Sequence, residues 1–438
     1  MNYKSLCKEW SKIVIERDFY VREGRVNQVI GLTVQVEGIQ AFVGEVCEIY
    51  INKKEKVLSE VVGFTGDKVL VMPFGELSGI SPGSRVIPTG KSMRIKVGEK
   101  LLGKVLNGLG QSFDGEDIDL IEEVDLYRNP PNPLTRKRID TIITTGIRAI
   151  DGLITVGAGQ RMGVFAGSGV GKSTLIGKIC KNSSADINVI ALIGERNREL
   201  QNVIDDDLGE EGLKKSVVVC ATSDQPALVR IKGAYTGTAI AEYFRDKGYN
   251  VMLIMDSVTR FAMAQREIGL AIGEPPTTKG YTPSVFALLP KLFERSGTSD
   301  KGSITGFYTV LVDGDDFNEP ISDAARGILD GHIILSRDLA TKNHFPAIDV
   351  GESISRLMSQ IASDKHKELA SLMREIMATY KEAEDLINVG AYVKGSNQKL
   401  DNAIYFYPQI ISFLRQGSKE TSSLEETLRS MQSVLTNQ

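Results

Sequence analysis

The segment QRMGVFAGSGVGKSTL, residues 160–175, constrains the fold of this chain more than any other stretch. Its first part, residues 162–166, is apolar apart from one glycine, which predicts a short buried strand. A helix is expected to begin near Lys172. The loop between them carries three glycines, which remove the Cβ atoms that would keep backbone N–H groups away from a bound anion. This order of strand, loop and helix predicts an anion site at a strand-to-helix turn.

The side chains of the loop point to polyphosphate binding. Lys172 can reach the β- and γ-phosphates, the Ser173 hydroxyl can ligate magnesium, and the helix N-terminus adds unsatisfied donors. Ala166 stands where a first glycine is usual. Glycine-rich turns also serve tight packing, but the lysine and serine together favour a nucleoside triphosphate site. The predicted phosphate-binding residues are Gly167, Ser168, Gly169, Val170, Gly171, Lys172, Ser173 and Thr174.

Composition narrows the class of protein. The 438 residues suggest about three domains. Lys plus Arg number 52 against 56 Asp plus Glu, a net charge of −4, so no basic excess indicates nucleic acid. The four cysteines lack metal-ligand spacing. No apolar run approaches the ~18 residues of a membrane span, so we expect a cytoplasmic protein that reaches the membrane through partners.

The pattern predicts an α/β protein with four segments. We expect residues 1–20 to form an amphipathic helix, 21–92 a small antiparallel β-barrel, 93–363 a P-loop parallel-sheet domain resembling RecA, and 364–438 a helical bundle. Residues 91–138 are transitional, and the proline-rich RNPPNPLTRKR within them is expected to be extended. The predicted parallel strands are residues 189–194, 216–222, 251–257 and 307–314.

The amphipathic helix at the N-terminus allows two interpretations. Leu6, Trp10 and Ile13 recur at helical spacing. They either pack against the chain itself or form an exposed docking helix for a partner. The sequence favours neither.

Two acids follow apolar strands of the predicted sheet. Asp256 ends the strand VMLIM, where a magnesium-site carboxylate is expected. Glu195 follows VIALIG at the same edge and could polarise the water that attacks the γ-phosphate. Either acid could instead be a helix cap. Arg196 and Glu199 lie beside Glu195 in sequence and could hold it in place.

Several motifs carry a family resemblance. GSGVGKS, GERNREL, VMLIMDSVTRFAMAQREIG and PAIDVGESISR resemble the catalytic-type subunits of the rotary ATPase superfamily, and residues 346–355 fit its P-A-I-D-x-x-x-S-x-S signature. More narrowly, GYTPSVFALLPKLFERSG, ILDGHIILSRDLA and YKEAEDLINVGAYVKGS resemble the ATPase of the type III protein export apparatus, with the flagellar branch closest. The resemblance runs from about residue 24 to about residue 416.

The resemblance implies roles at the phosphate end of the site. Lys172 and Ser173 hold phosphates and magnesium, Glu195 is the catalytic carboxylate and Asp256 supports the metal. Arg356 matches an arginine finger delivered onto a neighbouring subunit's γ-phosphate. Two further arginines, Arg196 and Arg260, would stabilise charge or structure at the same site.

The resemblance also implies a base pocket and a ring loop. Phe345 matches the aromatic residue that stacks on adenine, and Phe413 with Gln416 would complete that pocket. A core phenylalanine beside a proline is the alternative for Phe345. Residues 271–282 match the loop that lines the central hole of the ring, with a surface crossover as the alternative.

The implied function is Mg-ATP hydrolysis at inter-subunit sites of a homo-hexameric ring, promoting substrate unfolding, entry and chaperone release in flagellar export. The implied partners are a cytosolic stator-like regulatory protein at the N-terminal helix, a central-stalk coiled-coil protein, export-gate membrane proteins, export substrates and chaperones. An injectisome ATPase is the near alternative. A rotary synthase subunit is disfavoured because the C-terminal bundle is short.

Two further classes of protein fit the sequence less well. A non-hydrolysing regulatory ring subunit typically lacks the loop lysine or the catalytic glutamate, whereas this chain has Lys172 and Glu195. A ring helicase on RNA would need an aromatic-rich barrel and a basic surface, and the predicted barrel has neither.

Overall fold

The computed structural model describes residues 22–312 and 316–436, so the N-terminal helix predicted over residues 1–20 lies outside the described residues. The described chain divides into two compact units. The first comprises residues 22–93 with Ile268–Glu274, and the second comprises Arg94–Glu267 with the described residues from 275 to 436.

The first unit contains a closed six-stranded antiparallel barrel in the order β1-β2-β5-β4-β3-β6. Alternation along its strands builds the core: in β3, buried Cys47 and Ile49 alternate with half-buried Glu48 and Tyr50. The predicted barrel is therefore confirmed. Its strands are β1 (Gly24–Ile30), β2 (Thr33–Glu37), β3 (Glu45–Tyr50), β4 (Lys56–Thr65), β5 (Lys68–Pro73) and β6 (Arg85–Ser92).

The strands of the second unit form one large sheet and two small ones. Their bounds are β7 (Arg94–Val97), β8 (Val105–Asn107), β9 (Glu122–Asp125), β10 (Ile142–Ile143), β11 (Val156–Gly157), β12 (Arg161–Ala166), β13 (Ile187–Ile193), β14 (Ser216–Ala221), β15 (Asn250–Asp256), β16 (Gly297–Thr298), β17 (Ser303–Leu311), β18 (Gly331–Leu335) and β19 (Ile348–Ser355). The predicted parallel strands are present, with bounds that differ from the prediction by at most four residues.

The large sheet has the order β19-β18-β12-β17-β15-β13-β14-β8. Its long central strands pair in parallel, and their residues are almost all buried, as apolar strands covered on both faces must be. The edge strand β19 is the exception on this path, because it pairs with β18 antiparallel. The opposite edge strand, β8, comes from the transitional segment and was not predicted.

The helices cover the sheet and form the C-terminal part of the unit. Their bounds are α1 (Arg148–Leu153), α2 (Lys172–Asn182), α3 (Asn197–Asn202), α4 (Gly209–Lys214), α5 (Ala227–Asp246), α6 (Val258–Ala271), α7 (Pro283–Phe293), α8 (Pro320–Ile328), α9 (Arg337–Thr341), α10 (Met358–Ile361), α11 (Asp364–Asn388), α12 (Gln398–Leu414) and α13 (Leu424–Thr436).

The C-terminal helices share a core with the sheet domain. Met373 of α11, Phe413 of α12 and Met431 of α13 are buried in the same apolar cluster as Ile150 and Leu153 of α1. This cluster joins the predicted helical bundle to the nucleotide-binding part of the unit. Among the described helices, none is long and apolar enough to cross a membrane.

Candidate active site

The phosphate-binding loop lies at the carboxyl edge of the large sheet, between β12 and α2. Gly169 and Gly171 have φ values of 79° and 91°, a left-handed conformation that a residue with a Cβ adopts only with strain. Gly171 precedes Lys172, the first residue of α2, and as the N-cap residue it has no side chain to bond the free backbone N–H groups at this end of the helix. These groups, together with the helix dipole, form an anion-binding end.

Lys172 brings together the two predicted acids. Its ammonium contacts the Asp256 carboxylate, and its Nζ lies 3.6 Å from Glu195 Oε1. The Thr309 hydroxyl of β17 donates to Asp256 Oδ1 at 2.6 Å and orients that carboxylate. Burial alone would lower the pKa of Lys172, but Asp256 and Glu195 raise it overall. The lysine is therefore held as a cation where a polyphosphate would bind.

Glu195 is buried, with 8% of its surface exposed. Burial raises the pKa of Glu195 to about 7, with Asp256 and Glu199 adding to the rise and Lys172 opposing it. Its Oε1 atom is buried and accepts no hydrogen bond from the described residues. A buried carboxylate oxygen without a donor is costly, and such atoms concentrate where a substrate or water completes the site.

The two side chains predicted to ligate magnesium, Ser173 and Asp256, also meet here. Ser173 and Asp256 line the same cavity of about 40 Å³, together with Glu199. Among the described residues no group of three or more His, Cys, Asp or Glu side chains could hold a metal by itself. A hydroxyl and one carboxylate, with the remaining ligands supplied by phosphates and water, suit Mg²⁺, which keeps much of its water shell. The residues present fit this ion.

A larger cavity of about 480 Å³ adjoins the other side of the loop. Gly171 and Thr174 line it next to Phe345, whose surface is 42% exposed. A Cβ placed on Gly171 would lie 3.6 Å from the Phe345 ring. An exposed aromatic ring at this distance from the phosphate loop is placed to stack on a nucleotide base.

The other two residues expected in the base pocket have different positions. Phe413 is buried in the apolar core and does not line the cavity. Gln416 lines it, but its amide is already hydrogen-bonded: Oε1 accepts from the Arg148 N–H at 3.0 Å, and Nε2 donates to the Gly146 carbonyl at 2.8 Å and to the Glu420 carbonyl at 3.0 Å. Both residues thus support the cavity wall.

Two basic residues that sequence reasoning missed hold this wall in place. Arg148 Nε donates to the Phe413 carbonyl at 2.8 Å, and Lys178 Nζ donates to the Gly417 carbonyl at 2.9 Å. Each bond joins parts of the chain more than 200 residues apart. No local sequence pattern could have indicated them.

The arginines near Glu195 differ in their surroundings. Arg196 is exposed, and its carbonyl accepts from the Glu199 N–H at 2.9 Å at the start of α3. The Arg260 side chain packs against Gly194, where a Cβ would approach it to 2.8 Å, and its Nε is buried without a hydrogen bond to the described residues. Arg260 therefore packs directly behind the turn that presents Glu195.

Arg356 lies at the amino edge of the sheet, where the parallel strands begin, whereas the phosphate loop lies at the carboxyl edge, where they end. Its backbone N–H donates to the Asp330 carbonyl at 3.0 Å, and Nη2 donates to the Arg326 carbonyl at 3.1 Å. The preceding Ser355 pairs with the first residue of β18, whereas Ala166 at the loop pairs with the last. A strand of five residues, about 16 Å, separates the two positions. Arg356 is exposed and does not join its own chain's site.

The parallel sheet, the loop and the Lys172–Asp256 contact together define a P-loop nucleoside triphosphatase. Comparison with known families narrows the class. The nucleotide-binding domain model of the ATP synthase alpha/beta family matches residues 146–355, the beta-barrel domain model of that family matches residues 26–90, and the T3SS EscN ATPase C-terminal domain model matches residues 362–433. The chain belongs to the ATP synthase alpha/beta family and is an ATPase.

Relatives from flagellar and secretion systems are similar over nearly the whole chain. It is 56% identical to the flagellum-specific ATP synthase of Bacillus subtilis over 96% of its own length and 97% of that protein. It is 50% identical to a type 3 secretion system ATPase of Xanthomonas euvesicatoria, over 94% of each. The assembled ATPase EscN in complex with its central stalk EscO, from enteropathogenic Escherichia coli, matches with a TM-score of 0.87 and 46% identity, over 94% of this chain and 100% of that one. The predicted family and fold are confirmed.

Proposed function

We propose that this ATPase hydrolyses Mg-ATP to promote protein export by the flagellar type III apparatus. The observation that carries the proposal is the trio Lys172, Asp256 and Glu195 beside the glycine loop, with a buried Glu195 oxygen that no described donor satisfies. The similarity to flagellum-specific relatives supports the cellular role.

The residues divide the chemistry between them. Loop N–H groups and Lys172 bind the β- and γ-phosphates, so Lys172 exchanges its contact with Asp256 for one with phosphate. Glu195, when ionised, accepts a proton from the attacking water. Ser173 and Asp256 would hold Mg²⁺, which neutralises charge on the phosphates when bound. Phe345 positions the base.

We propose that the working form is a homo-hexameric ring with shared sites. Arg356 would complete a neighbour's site, since it lies at the edge of the sheet away from its own loop. The assembled state of the EscN relative supports this arrangement. The loop of residues 271–282 would line the central hole. Within it, Thr278–Gly280 form a single 3₁₀ turn, and Lys279 Nζ pairs with Asp316 at 3.3 Å.

The proposed partners follow from the same family. EscN is assembled with a central stalk, and a stalk-type coiled coil is the corresponding partner here. Residues 1–20 would dock a stator-like regulator. Export-gate membrane proteins, chaperones and export substrates would complete the set and hold the ATPase at the cytoplasmic face of the membrane. An injectisome ATPase is the second candidate, because a type 3 secretion system relative is 50% identical.

The dependence of turnover on protein concentration tests the proposal. A site shared between subunits makes specific activity rise steeply as rings assemble, whereas a self-contained site gives a constant value. Glu195→Gln is the matched control: it should bind ATP with unchanged affinity and leave it uncleaved at every concentration. A Glu195→Gln variant that loses binding in proportion to rate would assign that residue a structural role.

A further inference from the structure

The nucleotide-base cavity has one defined aromatic wall, Phe345, and the second aromatic residue expected there is absent from its lining. Phe413 is 6% exposed and belongs to the apolar core. The cavity of about 480 Å³ is bordered on that side by the segment after α12, residues 415–418. Within this segment, Arg415 has the side chain that can contact a base.

The Arg415 guanidinium is not paired with any of the described residues. Lys178, the other charged residue that lines the cavity, already donates to the Gly417 carbonyl at 2.9 Å. Arg415 is exposed, and its side chain makes no hydrogen bond or ion pair with the part of the chain that the structure describes. The positive charge of Arg415 acts on a neighbouring residue. Together with burial, it lowers the pKa of His344, the residue before Phe345.

The backbone at Arg415 is fixed next to Phe345. The Arg415 N–H donates to the Ile411 carbonyl at 3.1 Å, and the Arg415 carbonyl accepts from Arg148 Nη2 at 2.6 Å. The N–H of the following Gln416 donates to the Phe345 carbonyl at 2.8 Å. Hydrogen bonds at Arg415 and at the following residue thus hold the base of its side chain beside the aromatic wall, and only the side chain remains free to adapt to a ligand.

We propose that Arg415 covers the face of the nucleotide base opposite Phe345, so that the base lies between a phenyl ring and a guanidinium plane. A guanidinium is planar and permanently charged, and it stacks on aromatic faces in a way that an ammonium does not. This contact rests on the proposed nucleotide site, and it makes Arg415 a binding residue for the base, remote from the γ-phosphate. The same contact favours purines, which offer the larger face.

ADP binding measured by calorimetry on the full-length protein tests the contact without requiring turnover. Arg415→Ala should weaken ADP binding by about threefold to thirtyfold, the range between an exposed and a desolvated cation–π contact. Arg415→Lys should recover only part of the loss. Inorganic tripolyphosphate, which has no base, should bind Arg415→Ala and the wild type equally. In steady-state assays KM for ATP should rise while kcat stays the same.

Lys419→Ala is the matched control. Lys419 is an exposed cation four residues away that does not line the cavity. If this variant weakens ADP binding as much as Arg415→Ala, the effect is general charge attraction and the stacking proposal fails. It also fails if Arg415→Ala leaves ADP affinity unchanged, if tripolyphosphate affinity falls in parallel, or if lysine restores full affinity. A wild-type protein that binds ADP but never hydrolyses ATP would overturn the proposed function and leave this test valid.

Discussion

Buried charged side chains at the two edges of the large sheet are paired in different ways. At the amino edge, the Arg295 guanidinium donates to Glu242 through Nε and Nη2 at 2.9 and 2.7 Å and to the Leu126 carbonyl through Nη1 at 2.9 Å. At the carboxyl edge, Lys172 contacts Asp256, and Glu195 keeps a buried oxygen without a hydrogen bond to the described residues.

This difference separates structural charges from functional ones. A buried ion pair with every hydrogen bond made holds its surroundings in one arrangement and has no capacity left for a ligand. A buried carboxylate whose pKa is raised to near neutral pH by its environment can exchange a proton and can gain a hydrogen-bond partner. Mutation of the first kind of site should lower the stability of the fold, and mutation of the second kind should lower the catalytic rate.

Lys172→Ala should have the largest effect and should act at the carboxyl edge alone. Removing the cation from the β- and γ-phosphates should abolish detectable turnover and most ATP binding. The fold should survive, because the side chain faces the ligand. Calorimetry and phosphate release measure the loss, and thermal unfolding is the control. Near-normal turnover would mean that the loop is not the phosphate site.

Arg356→Ala tests the one amino-edge charge that we assign to catalysis. Turnover should fall on the order of 10³-fold or more while ATP binding stays nearly normal, because a finger stabilises the transition state. Lysine should rescue poorly, since it lacks the planar fork. Mixing this variant with Lys172→Ala should restore activity, because some interfaces then hold two intact halves.

A mixture that stays inactive under conditions where rings form would show that Arg356 does not act in trans. The shared-site mechanism would then fail, and Arg356 would join the structural charges of its edge.

Glu242→Gln tests the opposite side of the comparison. It leaves the Arg295 guanidinium buried without its full counter-charge, and Arg295 and Glu242 side chains are 2% and 1% exposed. Breaking such a pair costs about 3–5 kcal/mol. The midpoint of denaturant unfolding should fall clearly, while kcat and KM for the folded protein below that midpoint stay unchanged. A selective loss of kcat would contradict the division between the edges.

The smallest expected effect is a shift in the pH dependence of turnover. Glu195 must be ionised to accept a proton, and its pKa is raised to about 7, so kcat should fall as the pH drops below about 7 and reach a plateau above it. Glu199→Gln removes a negative neighbour that raises this pKa. The acid limb should therefore move to lower pH by a fraction of a unit. A limb that moves upward or stays fixed would show that another group controls it.

The residues that we propose for the phosphate half of the site could be predicted from the sequence, because the signals for them are local. The loop lies within eight consecutive residues, and Asp256 and Glu195 each follow an apolar strand whose carboxyl end falls at the same edge. Strand bounds were less accurate because tertiary pairing, as between β15 and β17, extends strands beyond their apolar runs.

The base half could not be derived in the same way. It depends on Arg148 and Lys178, which bond carbonyls at Phe413 and Gly417 across more than 200 residues. The resemblance placed Phe413 in the pocket, but its contacts are made in the core. The choice between Phe413 and Arg415 is decided by which face of the end of α12 packs inward, and both residues lie near the same helix end.

The direction of β19 has a consequence for when the enzyme is active. A parallel strand at this position would end at the carboxyl edge, and an arginine following it would meet the phosphates of its own chain. Such an enzyme would be self-sufficient as a monomer. Because β19 runs antiparallel to β18, the chain delivers Arg356 to the far side, and on its proposed role a newly made, dilute subunit is idle. One reversal of chain direction would thus restrict ATP consumption to subunits already assembled where export takes place.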